Sequence, residues 1–382
     1  MKILSINNDK GGVGKTFLAT QLALYASQQF GLRVALFDLD SQASATWVAR
    51  GNRSVCIAPL NTAEIFGGKS LDLASIGLSL SVRSLMLFPA PDSGQDLLDV
   101  VEKGDITESV KNLGEALKQI EPYFDLVIFD TNPNPDIRAG APLFYCDQVV
   151  SPISLFQESI NGIATLGDRV RDAAEFNPKL ESQDSWYILP SMVDSSPLQK
   201  RNFEELKADK GVASILLSLR ERVPEKLQCN EDEEIEVVSG NDDEQGNVKK
   251  KKRKSKSDHY VIVEDFVCIR RRNSFAEAQE KHLSVVDVDR ILWSELKRPL
   301  FAILRRLNVD RPNTANDEMI AAVYKCCELY GDDCLEFILS YWLSGNPASL
   351  KGLARRSLLI LQQLKKHISF EDLAILIQNK KA

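Results

Sequence analysis

A doubly wound, mostly parallel α/β sheet followed by a C-terminal helical appendage is the fold this sequence predicts, on three observations. Short apolar runs of strand length recur through the first two thirds of the chain, and several lack polar alternation, as strands covered on both faces do. Helical patterns separate them, and strand and helix in alternation imply parallel pairing through right-handed crossovers. Beyond about residue 311 the strand runs stop and helical periodicity takes over.

The predicted strands are residues 3–6, 34–37, 126–129, 148–153, 186–189 and 260–269. Among the helices between them, residues 17–30 and 106–120 carry the clearest amphipathic patterns. Residues 228–258 interrupt the alternation with Glu231 to Glu234 and Glu236, then acidic residues at 242–244, then the basic run at 249–256. Too little of this segment is apolar to pack, so a solvated, disordered insertion is expected within a domain spanning residues 1–310. Residues 317–330, 332–343, 347–367 and 369–378 read as the helices of an extension over residues 311–382, with Gly331, Gly345 and Pro347 as punctuation.

Composition narrows the function classes. A chain of 382 residues is long enough for about two domains. It contains no run of roughly 20 apolar residues able to span a bilayer. With an N-terminus that reads as a strand entering a loop, a cytoplasmic protein is expected. Cys56, Cys146, Cys229, Cys268, Cys326, Cys327 and Cys334 form no C-x-x-C pair and read as buried or idle thiols. Net charge is −7, yet residues 249–382 hold 25 Lys and Arg against 17 Asp and Glu, leaving the excess acid to the rest. A basic C-terminal part on an acidic protein points to an anionic partner, nucleic acid or lipid.

The chemistry is concentrated in Lys10-Gly11-Gly12-Val13-Gly14-Lys15-Thr16, which follows the first strand and opens the first helix. That is the context of the phosphate-binding pattern G-x-x-x-x-G-K-[ST], although the first glycine is replaced, the position falling at Asp9-Lys10. Glycines let backbone N–H groups turn onto phosphate oxygens, the helix start adds its positive dipole end, Lys15 reaches the β- and γ-phosphates, and the Thr16 hydroxyl suits Mg²⁺. A nucleotide with Mg²⁺, ATP above all, is the expected ligand.

The additional Lys10 makes this loop a deviant Walker A, and here the chain resembles the ParA/MinD family of dimerising P-loop ATPases, closest to its ParA-type partition members. Further segments carry the resemblance: Phe37-Asp38-Leu39-Asp40-Ser41-Gln42, the strand Leu126-Val127-Ile128-Phe129-Asp130-Thr131, and Asp147-Gln148-Val149-Val150-Ser151-Pro152. More weakly it extends to residues 188–194 and to Ile269-Arg270 with Ala276-Glu277-Ala278. The resemblance implies that Lys10 crosses to the nucleotide of a second copy, that Asp40 positions the attacking water, and that Asp130 holds Mg²⁺ through water with Asp38 in support. It places Ser191 near the adenine. Phe17 stands where the family has a second Thr that contacts the α-phosphate, Ser41 replaces a usual Pro, and Asn132 interrupts Asp-Thr-Pro-Pro, so slow or partner-dependent hydrolysis is implied.

The function expected is that of a DNA-partition ATPase. It forms a homodimer on ATP binding, coats nonspecific DNA in that state, and is released when a centromere-binding, ParB-like partner stimulates hydrolysis. A bacterial, nucleoid-associated location goes with it. Lys200, Arg201 and Arg270 to Arg272 are the candidate phosphate contacts. No helix-turn-helix precedes the first strand, so operator binding is not expected unless the C-terminal helices supply it. A MinD-like membrane switch is the alternative, but residues 370–381 spread Leu373, Ile375, Leu376 and Ile377 around the helix, and no stable membrane association is expected. A metal-cluster carrier would need paired cysteines.

Overall fold

In the computed structural model, residues 1–80, 83–224 and 260–309 are described. The predicted insertion at 228–258 and the helices predicted beyond residue 311 lie outside them. The chain divides into two compact units, one formed by Met1–Leu217 with the chain from Val267 onward, the other by Ser218–Phe266.

The larger unit holds a seven-stranded, all-parallel sheet: β1 (Lys2–Ile6), β2 (Val34–Asp38), β3 (Val55–Ile57), β4 (Leu85–Phe88), β5 (Leu126–Asp130), β6 (Gln148–Ile153) and β7 (Trp186–Pro190). Their order is β3-β4-β2-β5-β1-β6-β7. The chain winds outward from β1 in both directions, and the crevice at such a reversal, outside the carboxyl ends of the strands, is where doubly wound sheets bind ligands. Five of these strands fall on predicted segments. β3 and β4 have three and four residues and no period that separates them from helix or loop.

Register sets up the site. Asp38 of β2 pairs with Asp130 of β5, and Ile6 of β1 pairs with Asp130 from the other side. Two carboxylates thus sit on adjacent strands at one edge, an arrangement that costs stability in a sheet without a ligand. The core beneath them is aromatic: the Phe37 and Phe88 rings stack at 4.2 Å, and Phe129 lies 5.1 Å from Phe37. All three are fully buried, each contributing about 1.5–3 kcal/mol of transfer free energy.

The helix α1 (Lys15–Phe30) corrects one expectation. Read as amphipathic, it is buried from Lys15 and Phe17 through Ser27. The sheet covers one face, and residues from the far end of the chain cover the other: Phe275 stacks on Phe17 at 4.6 Å and Trp293 meets Tyr25 edge-on at 5.3 Å. A helix apolar around most of its circumference is one packed on both sides.

Residues 260–269 also differ from expectation. Only Tyr260–Phe266 is a strand, β9, and it pairs antiparallel with Ser218–Pro224, β8, in a ribbon that forms the smaller unit. A short apolar run, here broken only at Glu264 and Asp265, does not distinguish a central parallel strand from a ribbon strand. Past the ribbon, Ile269 donates its N–H to Pro190 and accepts from Val193, which lays residues 269–271 beside the end of β7. No helix among the described residues is long and apolar enough to cross a membrane.

Candidate functional site

Between β1 and α1 the backbone must turn sharply and leave its N–H groups facing outward. Gly12 and Gly14 do this at φ 73° and 90°, values side chains disfavour. At Gly14 a Cβ would also lie 2.9 Å from Met192 Cε and 3.0 Å from Ser191 Oγ, whereas the space above Gly11 and Gly12 is open for 4 Å. Gly14 caps α1 without a side-chain hydrogen bond, and the first turn of α1 has no acidic residue. The helix start therefore presents free N–H donors and an uncompensated positive dipole end, which suits an anion.

The loop is tied down by its own residues. Asn8 donates to the Pro152 carbonyl at 2.7 Å and accepts the Lys10 N–H at 2.8 Å. The Lys15 ammonium turns back to the carbonyls of Asn8 at 2.9 Å and Lys10 at 2.8 Å. Burial holds its pKa below the usual lysine value, against the opposing pull of Asp130, Asp40 and Asp9. Lys10 points elsewhere: its Nζ lies 3.4 Å from the exposed Glu158, and it does not line the cleft described below. Asp9 forms a two-point ion pair with Arg169 of the helix Ile163–Ala174.

Asp130 and Asp40 act on Lys15, and Asp38 lies beside Asp130 on the neighbouring strand. Asp130 is fully buried at the end of β5, and neither of its oxygens has a well-formed hydrogen bond. Burial drives its pKa well up, the charges of Asp38 and Asp40 push it the same way, and the Thr16 hydroxyl and Lys15 pull it down. Asp38, also fully buried, accepts the N–H groups of Asp40 at 3.1 Å and Thr46 at 2.7 Å. Burial outweighs those bonds and pushes its carboxyl up to about 6. Asp40 is half-buried and accepts the Gln42 N–H at 3.0 Å. A hard cation that keeps several waters and takes one or two carboxylates plus phosphate oxygens fits Thr16, Asp130 and Asp38, and would complete the orphaned Asp130 oxygens.

Lys15, Thr16 and Asp40 open onto a cleft of about 1060 Å³, with Met192, Trp47 and His282 on its other walls. Trp47 begins the outer wall from the helix Ser44–Arg50; it is 54% exposed, and its ring lies 4.4 Å from that of His282. Of the other predicted contacts, Val13 is buried outside the lining, and Phe17 lines the cleft but spends its ring on Phe275. Ser191 is fully buried with its hydroxyl against Gly14. Lys200 and Arg201 ride on the helix Pro197–Ala208 after β7, and Arg270 to Arg272 pass the same strand end, Arg272 pairing with Glu295 at 3.1 Å.

Sequence reasoning left out Asn8, Thr46 and Arg169. Nothing in the pattern marks Asn8 or Thr46, because Asn8 bonds backbone groups and Thr46 reaches Asp38 through its own backbone N–H. Arg169 did leave a signal: an acidic residue where the phosphate pattern has glycine needs a counter-charge.

A family model described as an AAA domain matches residues 1–182. The chain is 30% identical over 215 residues to protein IncC of Escherichia coli, covering 54% of this chain and 56% of that protein. It is also 30% identical over 212 residues to the chromosome-partitioning ATPase Soj of Thermus thermophilus, covering 54% of this chain and 76% of Soj. The chain spans about half the length of the IncC relatives it matches. In fold it resembles a putative plasmid partition protein from Borrelia burgdorferi bound to AMPPNP, with a TM-score of 0.51 at 18% identity over 80% of this chain and 99% of that one.

Proposed function

The chain belongs to the ParA-type partition ATPases, and on that premise we propose that it binds Mg²⁺-ATP, dimerises around it, binds DNA nonspecifically in that state and is released on partner-stimulated hydrolysis. The observation that carries the reading is the uncapped start of α1 beside Asp130, a fully buried carboxylate with no well-formed hydrogen bond.

Each residue then has a role. The N–H groups of Gly11 to Thr16 and the Lys15 ammonium neutralise phosphate oxygens, Lys15 exchanging its bonds to Asn8 and Lys10 for them. Thr16 and Asp130, with Asp38 behind, would hold Mg²⁺, which would supply charge neutralisation at the phosphates. Asp40 aligns the attacking water. Phosphoryl transfer asks for this combination of charge neutralisation and an aligned nucleophile rather than covalent chemistry. Lys10, directed away from its own cleft, serves a second copy. Phe17 offers no hydroxyl, consistent with slow turnover until a ParB-like partner acts. Lys200, Arg201 and Arg270 to Arg272 meet DNA phosphates without reading sequence.

Asp40→Ala tests the reading. It should hydrolyse ATP very slowly yet keep the ATP-bound dimer, which gathers two basic surfaces. Anisotropy titrations against random-sequence DNA should show affinity that rises with ATP over ADP and falls with salt by roughly 0.9 log units per log unit for each phosphate neutralised. No ATP-dependent affinity at low salt rejects the DNA carrier. ATP-dependent binding to anionic vesicles instead would favour the membrane switch.

A further inference from the structure

The phosphate loop of this chain contains a negative charge that a phosphate site ordinarily excludes. Asp9 stands one residue before Lys10, where the pattern has its first glycine, and its charge is felt at Lys15. A carboxylate there repels the same phosphate oxygens that Lys15 attracts. Arg169 answers it: both guanidinium nitrogens Nη1 and Nη2 donate to the two Asp9 oxygens, Nη2 at 2.8 Å. The pair is shielded, with side chains 24% and 30% exposed, and it joins the loop to a helix 160 residues away in sequence. Two-point Arg–carboxylate pairing fixes both charge and orientation.

We propose that Arg169 is a positioning residue of the nucleotide site, holding Asp9 neutralised and turned from the phosphates so that the loop remains an anion site. The inference rests on the nucleotide reading above. It follows that Asp9 and Arg169 act on affinity with opposite signs. Removing Arg169 exposes a carboxylate to the phosphates; removing Asp9 leaves a free guanidinium near them; removing both returns the loop to neutrality. An ion pair that only braced the fold would behave otherwise, since either single change breaks it equally and the double change would not recover.

The experiment is a double-mutant cycle read by equilibrium binding of a fluorescent ATP analogue with Mg²⁺, using wild type, Asp9→Asn, Arg169→Gln, the double variant and Arg169→Lys. If the unpaired charge reaches the phosphates as that of Asp9 reaches Lys15, affinity should change by roughly tenfold to thirtyfold at a protein-surface dielectric. Arg169→Gln should weaken binding by about that factor and Asp9→Asn should tighten it several-fold. The double variant and Arg169→Lys should lie within about threefold of wild type, and the single effects should shrink at high salt. Thermal midpoints of all five separate affinity from folding. Equal losses in both single variants without recovery, or no change in either, overturn the inference while leaving nucleotide binding standing. Failure of the wild type itself to bind the analogue overturns the nucleotide reading and this inference with it.

Discussion

The two ends of the same parallel sheet treat charge in opposite ways. At the amino ends of the strands, charges are paired near the surface. Arg33 holds both oxygens of Asp125 through its guanidinium and backbone N–H at 2.8–3.2 Å. Asp147 accepts the Ile3 N–H at 2.8 Å and pairs with Lys179 at 3.1 Å. At the carboxyl ends, Asp38 and Asp130 are fully buried side by side, Lys15 is buried within reach of the Asp130 charge, and neither Asp130 oxygen has a well-formed hydrogen bond. Folding alone explains the first end. At the second, the protein buries charge whose full complement comes from outside the chain, and buried polar groups left unsatisfied are expensive enough to need such a reason.

The comparison breaks most decisively at Lys15. Lys15→Ala should lower affinity for an ATP analogue by about a hundredfold or more, because it removes the buried ammonium assigned to the phosphates. Lys10→Ala should retain most of the binding but lose ATP-dependent dimerisation, measured by sedimentation. Dimerisation equal to wild type would remove the role given to Lys10.

Acid should sharpen the contrast next. The Asp38 carboxyl titrates at about 6 in the folded protein against an ordinary 3.8. Between these values the folded chain holds more protons than the unfolded one, so stability from this group is greatest below about pH 4 and falls as pH rises through about 6, by up to roughly 3 kcal/mol. Asp130 shifts in the same direction. Denaturant titrations of ligand-free wild type and Asp38→Asn from pH 4 to 7 should show a flatter pH slope in the variant. Parallel slopes would mean that Asp38 carries no such burden.

The smallest effect belongs to the amino ends. Asp125→Ala should cost about 1 kcal/mol or less, as exposed pairs do, and leave ATP affinity unchanged. A loss of affinity there would show that the two ends are coupled.

What was legible in the sequence follows the same division. The loop 10–16, Asp38 and Asp130 announce themselves because each must stand at a fixed distance from a strand end, and strands covered on both faces are continuous apolar runs. The burial of α1 on both faces was not legible, since its second cover, Phe275 and Trp293, comes from the far end of the chain. Neither was the ribbon of β8 and β9, whose partner strands are separated by 35 residues. The packing of Ser191 against Gly14 was not legible either, being set by the turn after β7 rather than by any local pattern.

The central claim, that Asp130 is buried for the sake of a ligand, is tested most directly by thermal unfolding of wild type and Asp130→Asn with and without Mg²⁺-ATP. Without ligand the variant should be at least as stable as wild type, because a neutral amide replaces a carboxyl buried without a partner. With Mg²⁺-ATP at a hundred times its dissociation constant, wild type should gain about 2.7 kcal/mol, a rise of several degrees in Tm, while Asp130→Asn gains little. Equal ligand-induced rises in the two proteins, or a ligand-free variant several degrees less stable than wild type, would contradict the account.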